Sequence, residues 1–140
     1  MGTLIDTTVF IEAERRSRVG GPALGEHLSG FLGPDEEVAI AAITASELLH
    51  GVHRADVLHR GQREAFVESV LEAFETLPFD LLAARIHARL WAGLASSGTD
   101  IGPHDRLVAA TAVAVGWRVC TANVRHFDRI VGLEVLASPS

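Results

Sequence analysis

The sequence predicts an α/β fold, a mainly parallel sheet covered by helices on both faces. Two patterns carry that expectation. Short apolar runs of strand length alternate with longer stretches whose apolar residues recur at helical spacing. One of the runs, Val38 to Ile43, is apolar without alternation, as a strand buried on both faces must be. The chain of 140 residues suits a single domain, 1–140, able to bury roughly 70% of the unfolded surface.

Local signals set the order of elements. Thr3 to Ile5 is a short buried strand ending at Asp6. Thr8 to Arg16 is a first helix, followed by a loop through Gly20, Gly21 and Pro22. Ala23 to Leu32 is a second helix, stopped by Gly33 and Pro34. After the Val38–Ile43 strand, Thr44 opens a helix to about Ala55. Arg60 to Thr76 carries Phe66, Val67, Val70, Leu71 and Phe74 on one helical stripe. Leu77 to Phe79 is a brief strand interrupted by Pro78. Leu82, Ile86, Leu90 and Leu94 place a helix over Leu81 to Ala95. A polar loop, Ser96 to His104, leads to a helix from Asp105 to Val115 that Gly116 ends. Trp117 to Cys120 and Leu133 to Leu136 are the last strands.

Composition narrows the function classes. At 48% hydrophobic and 21% charged residues, with mean hydropathy +0.25, the chain is not of disordered type. Its single cysteine, Cys120, excludes an intrachain disulfide framework and points to a reducing compartment. All 12 basic residues are arginine, so mechanisms that require lysine are excluded, among them P-loop nucleotide hydrolysis and Schiff-base chemistry. The net charge of −6 opposes binding nucleic acid through the global field; a local Arg face or metal ions would be needed. The longest apolar run, Leu107 to Val115, falls far short of the ~18 residues of a membrane span. The N-terminus MGTLIDTTVF lacks the pattern of a signal peptide, so the cytoplasm is the expected compartment.

In parallel sheets, ligands sit beyond the C-terminal ends of the strands. Three acids stand at such junctions. Asp6 ends the first strand, Glu47 lies one turn into the helix after Val38–Ile43, and Asp105 opens the helix before Trp117–Cys120. Carboxylates that converge cannot all stay ionised without a cation, and hard oxygen ligands select Mg²⁺ or Mn²⁺. Such ions polarise a phosphodiester and generate a hydroxide nucleophile. Each acid also has a structural reading. Asp6 and Asp105 fit helix N-caps, and Thr44-Ala45-Ser46-Glu47 fits a capping box. Spacing alone leaves both readings open.

Four blocks, LIDTTVFIE, ITASELLHG, IGPHDRLVAATAVAVG and TANVRHFDRIVGLEV, occur in that order across nearly the whole chain. Together they resemble the PIN-domain ribonucleases, specifically the VapC-type toxins of bacterial toxin–antitoxin pairs. The resemblance implies a three-layer α/β/α sandwich and an endoribonuclease dependent on Mg²⁺, with Mn²⁺ as a substitute. It matches Asp6, Glu47 and Asp105 to the family's first three acids, as metal ligands and catalytic residues. The late block departs from the pattern: Asn123 and His126 stand where such proteins often carry an acid, and Asp128 is displaced by two residues. Asn123 offers a carbonyl oxygen and His126 a nitrogen, but neither brings negative charge. Thr121 resembles the family's hydroxyl at the strand end. Arg106 and Arg125 flank the cluster as candidates for RNA phosphates, and Asp100 is a minor candidate in the preceding loop. The implied partners are an RNA substrate and an antitoxin whose C-terminal segment occludes the site, in a homodimer or toxin–antitoxin hetero-oligomer, with no membrane. The helix pair Ala23–Leu32 and Thr44–Ala55 is expected to border the antitoxin groove, because it adjoins the strands bearing Asp6 and Glu47.

Other features read as structural. Seven histidines are scattered with no H-E-x-x-H, and His50 and His53 share only a helix face. Gly20-Gly21 belongs to no phosphate loop, and Cys120 reads as a small buried hydrophobe. Two alternatives remain: an aspartyl phosphotransferase with Asp6 as nucleophile, weakened by Thr8 in place of a second acid, and a catalytically quiet PIN-type binding module.

Overall fold

Strand β1 (Gly2–Ile5) is buried over its whole length and lies in the middle of a five-stranded sheet. The computed structural model describes residues 2–139. From β1 the chain runs through α1 (Thr7–Arg18) and α2 (Leu24–Ser29) to β2 (Glu37–Ala41). It continues through α3 (Ala42–Arg54), α4 (Arg60–Ala73), β3 (Glu75–Leu77), α5 (Leu81–Ser97) and α6 (Pro103–Val115). Strand β4 (Arg118–Thr121), the short α7 (Val124–Phe127) and β5 (Val135–Ala137) complete it. The order is β3-β2-β1-β4-β5, with every pairing parallel. The strand order therefore reverses between β1 and β4, and a crevice at their C-terminal ends is the expected ligand position.

Strand alternation splits the core into two layers. Leu4, Ala39 and Val119 face one side with Leu94, Val108, Ala109 and Ala112 of α5 and α6. Ile5, Ile40 and Cys120 face the other with Val9 and Phe10 of α1, Leu48 and Val52 of α3, and Val67 and Val70 of α4. The result is the expected three-layer sandwich. Small side chains let α6 lie close on the sheet: Ala109, Ala110 and Ala112 are fully buried. Gly102 and Gly116 bracket that helix at φ +97° and +72°, a region that favours glycine. No helix among the described residues is long and apolar enough to cross a membrane.

Several boundaries differ from the sequence expectation, for identifiable reasons. The helix from Arg60 ends at Ala73 rather than Thr76, and Glu75 and Thr76 belong to β3. Phe74 turns extended there and packs edge-on against Phe10 at 5.4 Å, a tertiary contact that outweighs helical periodicity. Strand β3 stops before Pro78, which has no N–H to give the ladder. Strand β2 ends at Ala41, so Ala42 and Ile43 are helical. Thr44 then lies inside α3, buried, with its hydroxyl unpaired, and the Thr44–Glu47 capping box does not form.

Candidate active site

Asp6 leaves the end of β1, held in the sheet by its own N–H donating to the Cys120 carbonyl at 2.9 Å. It occupies the N-cap position of α1, yet its side chain makes no capping bond. Instead Oδ2 accepts from the hydroxyls of Thr8 at 2.8 Å and Thr121 at 2.9 Å. Each hydroxyl in turn accepts a backbone N–H, from Ala122 onto Thr8 at 3.1 Å and from Asn123 onto Thr121 at 2.9 Å. With their acceptor sides engaged, both hydroxyls are oriented as donors to the carboxylate. Parallel pairing of β1 with β4 makes this possible, because it sets Ile5 beside Cys120 and their successors side by side.

Among the described residues no side-chain cation pairs with the Asp6 carboxyl. The residue is 3% exposed, and burial pushes its pKa above the ordinary carboxylate value. The Thr8 and Thr121 hydroxyls pull in the other direction, and the charge of Asp105 adds to the rise. Asp105 and Asp6 thus lie close enough to repel, although 99 positions separate them.

Asp105 sits in the first turn of α6, where Gly102 is the N-cap; its side chain is not a cap. Its Oδ2 meets His126 Nδ1 of α7 at 2.7 Å. Glu47 projects from α3, accepts from Thr7 Oγ1 at 2.6 Å, and meets His104 Nδ1 at 3.1 Å. Thr7 is the neighbour of Asp6 and His104 the neighbour of Asp105, so hydrogen bonds link the surroundings of all three acids. Among the described residues, however, no three His, Cys, Asp or Glu side chains stand close enough to form a ready-made metal cage.

The residue types fit a hard divalent cation. Asp6 is a desolvated carboxylate next to a second acid, with hydroxyl donors confined to Oδ2. All its neighbours that could ligate through oxygen are of the hard class. Glu47 and Asp105 already have imidazole partners; Asp6 has none.

Thr121 is buried and acts on Asp6 directly. Asn123 is exposed and engages the site through its backbone N–H, while His126 reaches Asp105. Arg125 is exposed on α7 without an ion pair among the described residues. Arg106 corrects the expectation of an RNA-facing guanidinium. It is 6% exposed, forms two bonds to Asp100 at 2.6 and 2.7 Å, and lies over the Trp91 ring at 4.8 Å. That guanidinium fastens the loop before α6 and presents no free face to a phosphate. Asp100 is accordingly its partner, with a pKa lowered chiefly by the Arg106 bond, and not part of the acid group. Sequence reasoning missed Thr7, Thr8 and His104 as site residues. Their signal was adjacency: two hydroxyls directly after Asp6 and an imidazole directly before Asp105.

Residues 3–133 match the PIN domain family. The chain is 34% identical over 140 residues to "Ribonuclease VapC" of Rickettsia bellii, covering 99% of this chain and 98% of that protein. It is 40% identical over 136 residues to "Ribonuclease VapC5" of Mycobacterium tuberculosis, covering 96% of this chain and 90% of the relative. Among solved structures it is similar to the DNA-bound VapBC complex of Salmonella typhimurium, with TM-score 0.84, 28% identity and 99% of both chains covered. With a buried acid at the β1–β4 crevice and these likenesses over nearly its full length, the chain belongs to the PIN-domain family, among its VapC-type members.

Proposed function

We propose that this chain is a divalent-metal-dependent endoribonuclease and the toxin of a toxin–antitoxin pair. The observation that carries the chemistry is the buried Asp6 carboxyl, raised in pKa and paired with no side-chain cation among the described residues. The relatives named ribonuclease VapC support RNA as the substrate, and the VapBC complex supports a cognate antitoxin as the partner in a hetero-oligomer. The proposal treats 1–140 as a single domain and the cytoplasm as the working compartment.

In this reading Asp6 and Asp105 hold the ion, Mg²⁺ with Mn²⁺ as a substitute, and Glu47 acts on it directly or through water. A divalent ion there would polarise the scissile phosphodiester and acidify the attacking water. Thr8 and Thr121 hold one carboxylate oxygen of Asp6 in place, leaving the other without a side-chain donor. Thr7 anchors Glu47 at the mouth of the crevice. His126 and His104 are the hydrogen-bond partners of Asp105 and Glu47, and would give up those contacts if the two acids turned to a bound ion. Because Asn123 and His126 bring no negative charge, one ion would be well held, and a second would bind only at high metal or when RNA phosphate adds its oxygens. Arg125, exposed beside His126, is the remaining flanking candidate for an RNA phosphate. The antitoxin covers the site from the side of α2 and α3.

The test is RNA cleavage in Mg²⁺ by the wild type, Asp6→Asn and Asp105→Asn. Both variants should fall to background while keeping the fold, and EDTA should silence the wild type. Full activity in Asp6→Asn, or in EDTA, would refute the reading.

A further inference from the structure

An RNA nuclease with net charge −6 needs a local cationic surface, and most of its arginines are already engaged. Arg15, Arg16, Arg18, Arg63, Arg106 and Arg118 pair with carboxylates. Arg60 and Arg129 donate to backbone carbonyls. Among the described residues this leaves Arg54, Arg85, Arg89 and Arg125 without an ion pair or hydrogen bond inside the chain.

Of those four, Arg54 lines a groove that also contains a site acid. The groove, about 480 Å³, is walled by α1, α3, α4 and α6, with Glu47, His50 and Arg54 on α3, Arg63 on α4 and His104 on α6. Thr7, which fixes Glu47, forms part of its wall. Arg63 is tied to Glu14 at 3.3 Å, so Arg54 is the free guanidinium of the groove. At Gly51 of its lining, an added Cβ would meet nothing nearer than Arg63 Cδ at 3.9 Å, so the space is open. An exposed guanidinium with five donors, in an open groove that Glu47 also lines, suits a phosphate oxygen pair.

We propose that this groove holds a backbone phosphate of the RNA next to the one being cleaved, with Arg54 as its ligand. The proposal rests on the nuclease reading above. Arg54 also lies in the last turn of α3, where a cation complements the helix dipole. That role would affect stability only; it would not change how RNA binding depends on salt.

The test uses the Asp6→Asn protein, so that RNA survives, and a short fluorescein-labelled single-stranded RNA followed by anisotropy across a KCl series. Adding Arg54→Ala should weaken binding roughly five- to tenfold. It should also reduce the slope of log affinity against log salt by about 0.7, the value for one lost phosphate contact on a single strand. Arg54→Lys should keep the slope, and Arg89→Ala, a free cation on α5 outside the groove, should change neither quantity. An unchanged slope in Arg54→Ala, or an equal loss in Arg89→Ala, overturns the proposal. So does an Arg54→Ala protein that binds RNA normally but releases the antitoxin, which would assign the groove to the protein partner. If the wild type cleaves RNA while the slope stays fixed, the groove assignment falls and the nuclease reading stands. If the slope changes and the wild type cleaves nothing, the reverse holds.

Discussion

The two ends of the sheet treat their acids in opposite ways. At the N-terminal end, Glu36 is enclosed by Arg118 and Thr3. Arg118 donates to Glu36 Oε1 at 2.5 Å and to Thr3 Oγ1 at 2.8 Å, and Thr3 donates to Glu36 Oε2 at 2.5 Å. At the C-terminal end, Asp6 is more deeply buried and its side-chain partners are hydroxyls, not a guanidinium, and its pKa rises through burial. One β1–β4 strand pair thus carries a self-neutralised cluster at one end and a carboxyl without a counter-charge at the other. A compensated acid contributes to the fold. An acid left without a counter-charge lowers the stability of the empty protein and provides affinity for a cation from outside.

This contrast can be broken from either side. Arg118→Ala should have the larger effect on stability, because it strands Glu36 in a part-buried position. The expected loss is about 2 kcal/mol, less than for a fully buried pair because both side chains keep some exposure. Denaturant unfolding measures it, and a loss no greater than for an ordinary surface residue would show that the N-terminal cluster is ornamental. Cys120 gives a smaller and sharper check, since it lies on β4 between the two ends. Burial pushes its thiol up to about 12, with Arg118 drawing it down and Asp6 pushing it further up. The folded protein should therefore resist thiol reagents at mildly alkaline pH and react only on unfolding. Rapid modification of the native state would mean that the β1–β4 interior is more open than described.

Much of this was legible in the sequence because it depended on local rules. Buried strand runs and glycine stops give the order of elements and put Asp6, Glu47 and Asp105 at strand–helix junctions, although α6 begins at Pro103 and not at Asp105. What remained hidden depended on contacts between distant segments. The donation of Thr121 to Asp6 spans 115 positions and exists only because β4 pairs with β1. Arg106 reads in the sequence as a candidate for an RNA phosphate, but Trp91 and Asp100 occupy its guanidinium. The capping box at Thr44 had the right letters, but β2 ends at Ala41 and α3 starts too early for Thr44 to be its cap. Helix α4 stops at Ala73, short of its apolar stripe, because Phe74 packs on the ring of Phe10 in place of another helical turn.

The central claim is that Asp6 is left uncompensated for the sake of a divalent cation, and the unfolding temperatures of the wild type and Asp6→Asn, with and without Mn²⁺, test it most directly. A carboxyl whose pKa is raised by folding costs stability above that pKa, and the cost disappears as pH falls through it towards the ordinary value. Without metal at neutral pH, Asp6→Asn should therefore melt above the wild type, with the gap narrowing on acidification. Mn²⁺ should reverse the order, raising the wild-type midpoint progressively with concentration and leaving Asp6→Asn nearly unmoved. An equal Mn²⁺ shift in both proteins, or a wild type indifferent to Mn²⁺, would contradict the account.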